Sequence, residues 1–124
     1  MGEDLQTLLR DVRSDLGEDF VASDIIGADG MSIAGESADD GYAAELVAAS
    51  MAMIMKTAAK LSGNLGLGKI SENLLTTNDR IAVSRALGDG SMYWLLVAKS
   101  EATLGMLRAV MDQYELRMWG AIPT

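Results

Sequence analysis

One stretch of this 124-residue chain has the residue types and spacing of a phosphate-binding loop: Gly63-Asn-Leu-Gly-Leu-Gly68-Lys69 satisfies G-x-x-x-x-G-K. Such a loop holds phosphate oxygens on backbone N–H groups. It works because a strand enters it and a helix leaves it, so that the helix N-terminus faces the anion. Here the hydrophobic pattern puts a helix before the glycines and a strand after them. Ile70 also stands where a Ser or Thr would hold magnesium. The stretch therefore reads as a glycine-rich helix exit, and no nucleotide cofactor is expected.

Carboxylates are the next candidates: Glu18 and Asp19 with Asp24, and the neighbours Asp39 and Asp40. A glycosidase-like pair or a magnesium site needs acids converging from separate strands on one cleft. The spacing brings none together, so solvated surface charge is the expected role. Asp24 stands apart, between Ser23 and Ile25 in an apolar run. It is expected on a helix-covered face near its strand's end, or paired with an arginine. The chain has no His and no Cys, which removes the commonest general base, metal ligand and thiol nucleophile. No catalytic residue, cofactor or metal site is expected, and the chain reads as no enzyme.

Charge narrows the partners. Residues 1–40 hold eleven acids against two arginines, a net of −9, whereas residues 41–124 hold seven acids and eight bases, a net of +1. The bases are scattered singly, which argues against nucleic acid and against an anionic membrane surface. Met1 is followed at once by Gly2-Glu3-Asp4 rather than by a basic and then apolar leader. Gln6 occupies the Ser/Thr position of a myristoylation signal. No run approaches the roughly 18 apolar residues of a spanning helix. The expectation is one soluble, cytoplasmic domain over residues 1–124.

The elements follow from periodicity. Leu5, Leu8, Leu9, Val12 and Leu16 recur at helical spacing up to Gly17. Phe20 to Gly27 alternates as a strand, and Asp29-Gly30 suggests a two-residue hairpin loop leading to a return strand, Met31 to Gly35. Ser37 and Asp40 have capping-box spacing ahead of a long helix from Gly41 to about Gly63. Strands are expected over Lys69–Thr77, Arg80–Leu87 and Met92–Lys99, the last apolar on both parities and hence central and covered twice. A final helix starts near Thr103 and stops at Trp119-Gly120, ahead of Pro123. Trp94 and Trp119 are expected as core and terminal anchors. The order is α-β-β-α-β-β-β-α, an α+β sandwich. Its five-stranded, largely antiparallel sheet has the long helix on one face and the other two helices opposite.

The long helix has a surplus. At about 100° per residue, Ala44, Val47, Ala48, Met51, Ile54, Met55 and Ala58 share a core face. A second, uncharged strip holds Ala43, Leu46, Ser50, Met53 and Thr57. A one-sided helix does not need that strip, which is either a partner contact or a tolerated wet flank.

In this order the sequence resembles the Roadblock/dynein light chain family, in its prokaryotic MglB-like form, over nearly its whole length. The resemblance is carried by Val21-Ala-Ser-Asp-Ile-Ile-Gly-Ala-Asp-Gly-Met-Ser-Ile-Ala34, the Ala-rich helix Tyr42 to Leu61, and Leu67-Gly-Lys-Ile-Ser-Glu-Asn-Leu-Leu75. Ala86-Leu-Gly-Asp-Gly90 and Ala102-Thr-Leu-Gly-Met-Leu107 complete it. The family resemblance implies a homodimer in which the third strand pairs with its counterpart and the long helices lie side by side. Ala43, Leu46, Ser50, Met53 and Thr57 of the helix, with Ile70, Glu72 and Leu74 of the strand, would then form the interface.

It also implies a non-catalytic regulatory module that binds a Ras-like small GTPase. The alternative is a structural scaffold or motor light chain that takes a peptide or a related Roadblock subunit. Neither Arg80 nor Arg85 is placed by the motif as an arginine finger, so binding rather than activation is what the resemblance supports.

Overall fold

A computed structural model describes residues 3–123. Met1 and Gly2, on which the leader and myristoylation readings rest, lie outside the described residues, as does Thr124.

Asp4 accepts a hydrogen bond from the Thr7 backbone N–H at 2.8 Å and caps the first helix, α1 (Leu5–Leu16). Its buried stripe is Leu5, Leu8, Leu9, Val12 and Leu16, as the spacing predicts. Each such side chain contributes about 2 kcal/mol when removed from water. A 3₁₀ turn (Gly17–Asp19) leads into β1 (Phe20–Gly27), buried along its whole length, and β2 (Ser32–Ser37) returns antiparallel to it. The connection is not the two-residue loop expected. Gly27 N–H donates to the Met31 carbonyl and Gly30 N–H to the Gly27 carbonyl, both at 2.9 Å, leaving a three-residue loop, 28–30. Gly30 has φ +88°, the left-handed position that closes a three-residue hairpin.

The long helix α2 (Ala44–Asn64) starts later than the Ser37/Asp40 capping box predicts, and Ala43 at its N-cap makes no side-chain bond. Ser37 instead accepts from Asp39 N–H at 3.0 Å, and Asp39 from Gly41 N–H at 2.9 Å. These two-residue side-chain turns compete with the cap and hold the approach in loop form. β3 (Glu72–Thr76) is shorter than expected, while β4 (Arg80–Leu87) and β5 (Met92–Lys99) match the periodicity. Thr103 accepts from Met106 N–H at 3.2 Å and caps α3 (Leu104–Ala121).

The sheet is antiparallel throughout, in the order β2-β1-β5-β4-β3. β5 is central and apolar on both faces because both are covered. One face packs on α1 and α3 through Ile25, Val83, Trp94, Leu96, Leu107 and Met111. The opposite face packs on α2 through Ile26, Met51, Met55, Tyr93 and Leu95. The expected α+β sandwich, with one helix opposite two, is the observed architecture. Both tryptophans are structural. Trp94 is fully buried, its Nε1 donating to Ser23 Oγ at 2.8 Å while that hydroxyl donates to the Leu95 carbonyl. Trp119 lies so close over Gly88, at φ +52°, that any Cβ there would strike the indole.

Candidate partner interface

Of the 21 residues of α2, only Ala48, Met51, Ala52 and Met55 are buried. Ile54, expected on the core face, is 37% exposed and Ala52 takes its place. The reason is where the helix sits. It packs over β1 and β2, and the backbone at Gly30 comes against Ala49 and Ala52, turning Ile54 outward.

The second strip is solvent-facing along its length: Leu46 is 68% and Met53 69% exposed, and Ala43, Ser50 and Thr57 are exposed with them. Met53 and Thr57 also line a shallow recess with Asp29 and Gly30. Exposed apolar surface continues through Leu61, Leu65 and Leu67. The last two are hidden in sequence among the glycines of the helix exit, where no periodicity marks them.

The helix leaves part of its sheet face open. Between the C-terminal end of α2 and the sheet runs a groove of about 690 Å³, lined by Ala59, Ser62, Ile70, Ala86 and Tyr93 among others. Ile70 packs against the α2-side core rather than standing free. Leu75, on the same face, is exposed.

Beyond β4 the sheet ends at β3. Ala86 N–H donates to the Ser71 carbonyl and Thr77 N–H to the Arg80 carbonyl, so in this antiparallel register Ser71, Asn73, Leu75 and Thr77 face β4. The backbone groups of Glu72, Leu74 and Thr76 therefore point outward. Glu72 and Leu74 thus reach the open edge by backbone, while their side chains lie on the α3 face, away from the helix strip.

Glu72 is tied down there. Arg85 donates to one carboxylate oxygen at 3.0 Å and Arg108 to the other at 2.7 and 2.9 Å. Burial alone would raise the Glu72 pKa, but these bonds outweigh it and hold it below the usual range. Arg85 also bonds Asp112 and Glu115, at 2.7 and 3.0 Å, so it is no free arginine finger. Arg80 is exposed and donates to the Asp79 carbonyl.

Asp24 is 1% exposed, on the α2 face, and accepts from Tyr42 Oη at 2.6 Å and, at 3.5 Å, from Ser32 Oγ. Asp24 lies on the covered face as expected, though in the middle of β1 rather than near its end, and among the described residues no arginine bonds it. Burial pushes the Asp24 carboxyl up against the opposing effect of both hydroxyls, and burial with the nearby carboxylate pushes Tyr42 up. A Cβ on Gly35 would collide with this carboxylate. The group is structural, a tether between β1 and the approach to α2. Among the described residues, no cluster of His, Cys, Asp or Glu is placed to hold a metal, and no helix is long and apolar enough to cross a membrane.

No protein-family model matches the sequence, and no curated protein matches it. Solved structures do match the fold. Myxococcus xanthus MglB superposes with a TM-score of 0.85 at 9% identity, over 94% of this chain and 92% of that one. A Roadblock/LC7 domain from Streptomyces avermitilis gives 0.79 at 16% identity, over 90% and 91%. An MglB in a tetrameric arrangement gives 0.81 at 15% identity, over 98% and 92%. The chain has the Roadblock/LC7 fold.

Proposed function

We propose that the chain is a non-catalytic, cytoplasmic regulatory module that self-associates through β3 and α2 and binds a Ras-like small GTPase over the paired helices. The observation that carries this is the coincidence of two unfinished surfaces, an open strand edge at β3 and an exposed apolar strip on α2. Either alone is a liability in water. A second copy would complete both. Pairing β3 with β3 about a two-fold axis perpendicular to the sheet keeps the two α2 helices on one face of the joined sheet. We assign Leu46, Ser50 and Met53 to the contact between those helices because they are the exposed, uncharged strip of α2. The fold shared with MglB supports the regulatory reading, and a tetrameric MglB supports self-association as a habit of the fold.

The test mixes the purified chain with the small GTPase encoded nearest its gene, loaded with GDP or with a non-hydrolysable GTP analogue. A complex in one nucleotide state supports the proposal; absence of a complex in both removes the GTPase from it. Hydrolysis is followed in the same mixture. Because Arg85 is held by three acids, binding without acceleration is expected. The open β3 edge also favours a second reading, a scaffold that takes a related Roadblock subunit. Heterodimers on mixing, without GTPase contact, would support that one.

A further inference from the structure

The sheet has a second edge, and it is not left open. Ala38 N–H donates to the Val21 carbonyl at 2.9 Å, and in this antiparallel register the 22/37 and 24/35 pairs turn their backbone groups away from each other. The backbone groups of Gly35 and Ser37 thus point out of β2, where an added strand would bind. Met31 and Ile33 beside them are exposed and apolar, which would make this edge adhesive.

Two side chains of α1 reach across it. Gln6 Nε2 donates to the Gly35 carbonyl at 3.0 Å and to Glu36 Oε1 at 3.1 Å. Arg13 Nη1 donates to the Ser37 carbonyl at 3.2 Å and to Glu36 Oε2 at 2.8 Å. Gln6 and Arg13 are two helical turns apart on one face of α1, and Glu36 between them takes a bond from each. At β3, no side chain of the described residues donates to the outward carbonyls.

We propose that Gln6, Arg13 and Glu36 form a guard that keeps β2 closed to strand addition, so that a second copy of this chain adds only at β3. The occupant excluded is another copy's β2. This deepens the self-association reading, and the test lets the two fail separately.

The Gln6→Ala/Arg13→Ala variant is compared with its parent by sedimentation velocity, in the wild-type chain and in a Leu74→Pro background. Leu74 points its N–H outward, so proline there closes β3 without breaking a bond to β4. In the Leu74→Pro background, removing the guard is expected to convert monomer to dimer. In the wild-type background it is expected to produce species larger than two copies. Guardless chains that melt like their parents and keep the parental mass in both backgrounds overturn the proposal. If the wild type is itself monomeric, the β3 reading fails while the guard is still scored by whether its removal doubles the mass. Should the double alanine variant not fold, Gln6→Ala and Arg13→Ala are made singly; each frees one outward carbonyl, of Gly35 or of Ser37, and is read in the same way.

Discussion

Ser84 is buried in β4 with a side-chain oxygen that has no hydrogen-bond partner among the described residues. Burying an unpaired hydroxyl costs about 1–2 kcal/mol, so Ser84→Ala is expected to stabilise the fold by about 1 kcal/mol in denaturant unfolding. Asp24 presents the opposite case, a buried carboxylate that depends on Tyr42. Tyr42→Phe removes the 2.6 Å bond and is expected to destabilise by about 1–3 kcal/mol.

The pH dependence has a definite sign. The folded Asp24 pKa lies above its ordinary 3.8, so between those values the native state binds more protons than the unfolded chain. Stability from this group is therefore lost as pH rises through that window. Asp24→Asn mimics the protonated form. Its melting temperature relative to wild type is expected to rise from acid toward neutral pH; a constant difference would contradict the assignment. That Asp24 is buried was legible from its apolar neighbours. Its partner was not, because Tyr42 lies eighteen residues away and in a loop, where no periodicity aims a side chain.

Elements were legible wherever one period dominates. The leucine stripe of α1 and the double-sided apolar run of β5 each have a single reading, and both stand as expected. The α2 helix is apolar on too many sides for its orientation to be read. Its true core face depends on Gly30, which sequence spacing cannot place against Ala52, and so spacing alone turns Ile54 inward. The same ambiguity makes the strip testable. Met53 is 69% exposed in the single chain, so Met53→Asp is expected to leave the melting temperature of a dilute monomer nearly unchanged. In a desolvated helix contact the same charge costs about 3 kcal/mol, over a hundredfold in dissociation constant. Light scattering of Met53→Asp is therefore expected to report monomers. An unaltered dimer would put the contact on another face of α2.

The uneven charge of the chain acquires a spatial meaning in the whole molecule. Of the acidic excess of residues 1–40, a net −4 lies on α1 and its flanks, on the sheet face opposite α2, and a net −5 on β1, β2 and the loops that lead from them, Asp24, Asp29, Glu36, Asp39 and Asp40. The α2 helix carries only Glu45, Lys56 and Lys60. Two copies meeting through α2 and β3 would thus bring together helices that carry three charged residues each, with the acids of α1 turned away from the contact. Apolar burial and strand hydrogen bonds, not ion pairing, would hold them together. Raising the salt from about 0.1 M to about 1 M shortens the Debye length from about 10 Å to about 3 Å, which screens exposed pairs and leaves apolar contacts intact. The dimer dissociation constant is accordingly expected to change less than about threefold across that range, measured by sedimentation equilibrium. A tenfold weakening would mean that charged groups carry the contact, and the interface would have to be sought among the acidic residues of the α1 face instead.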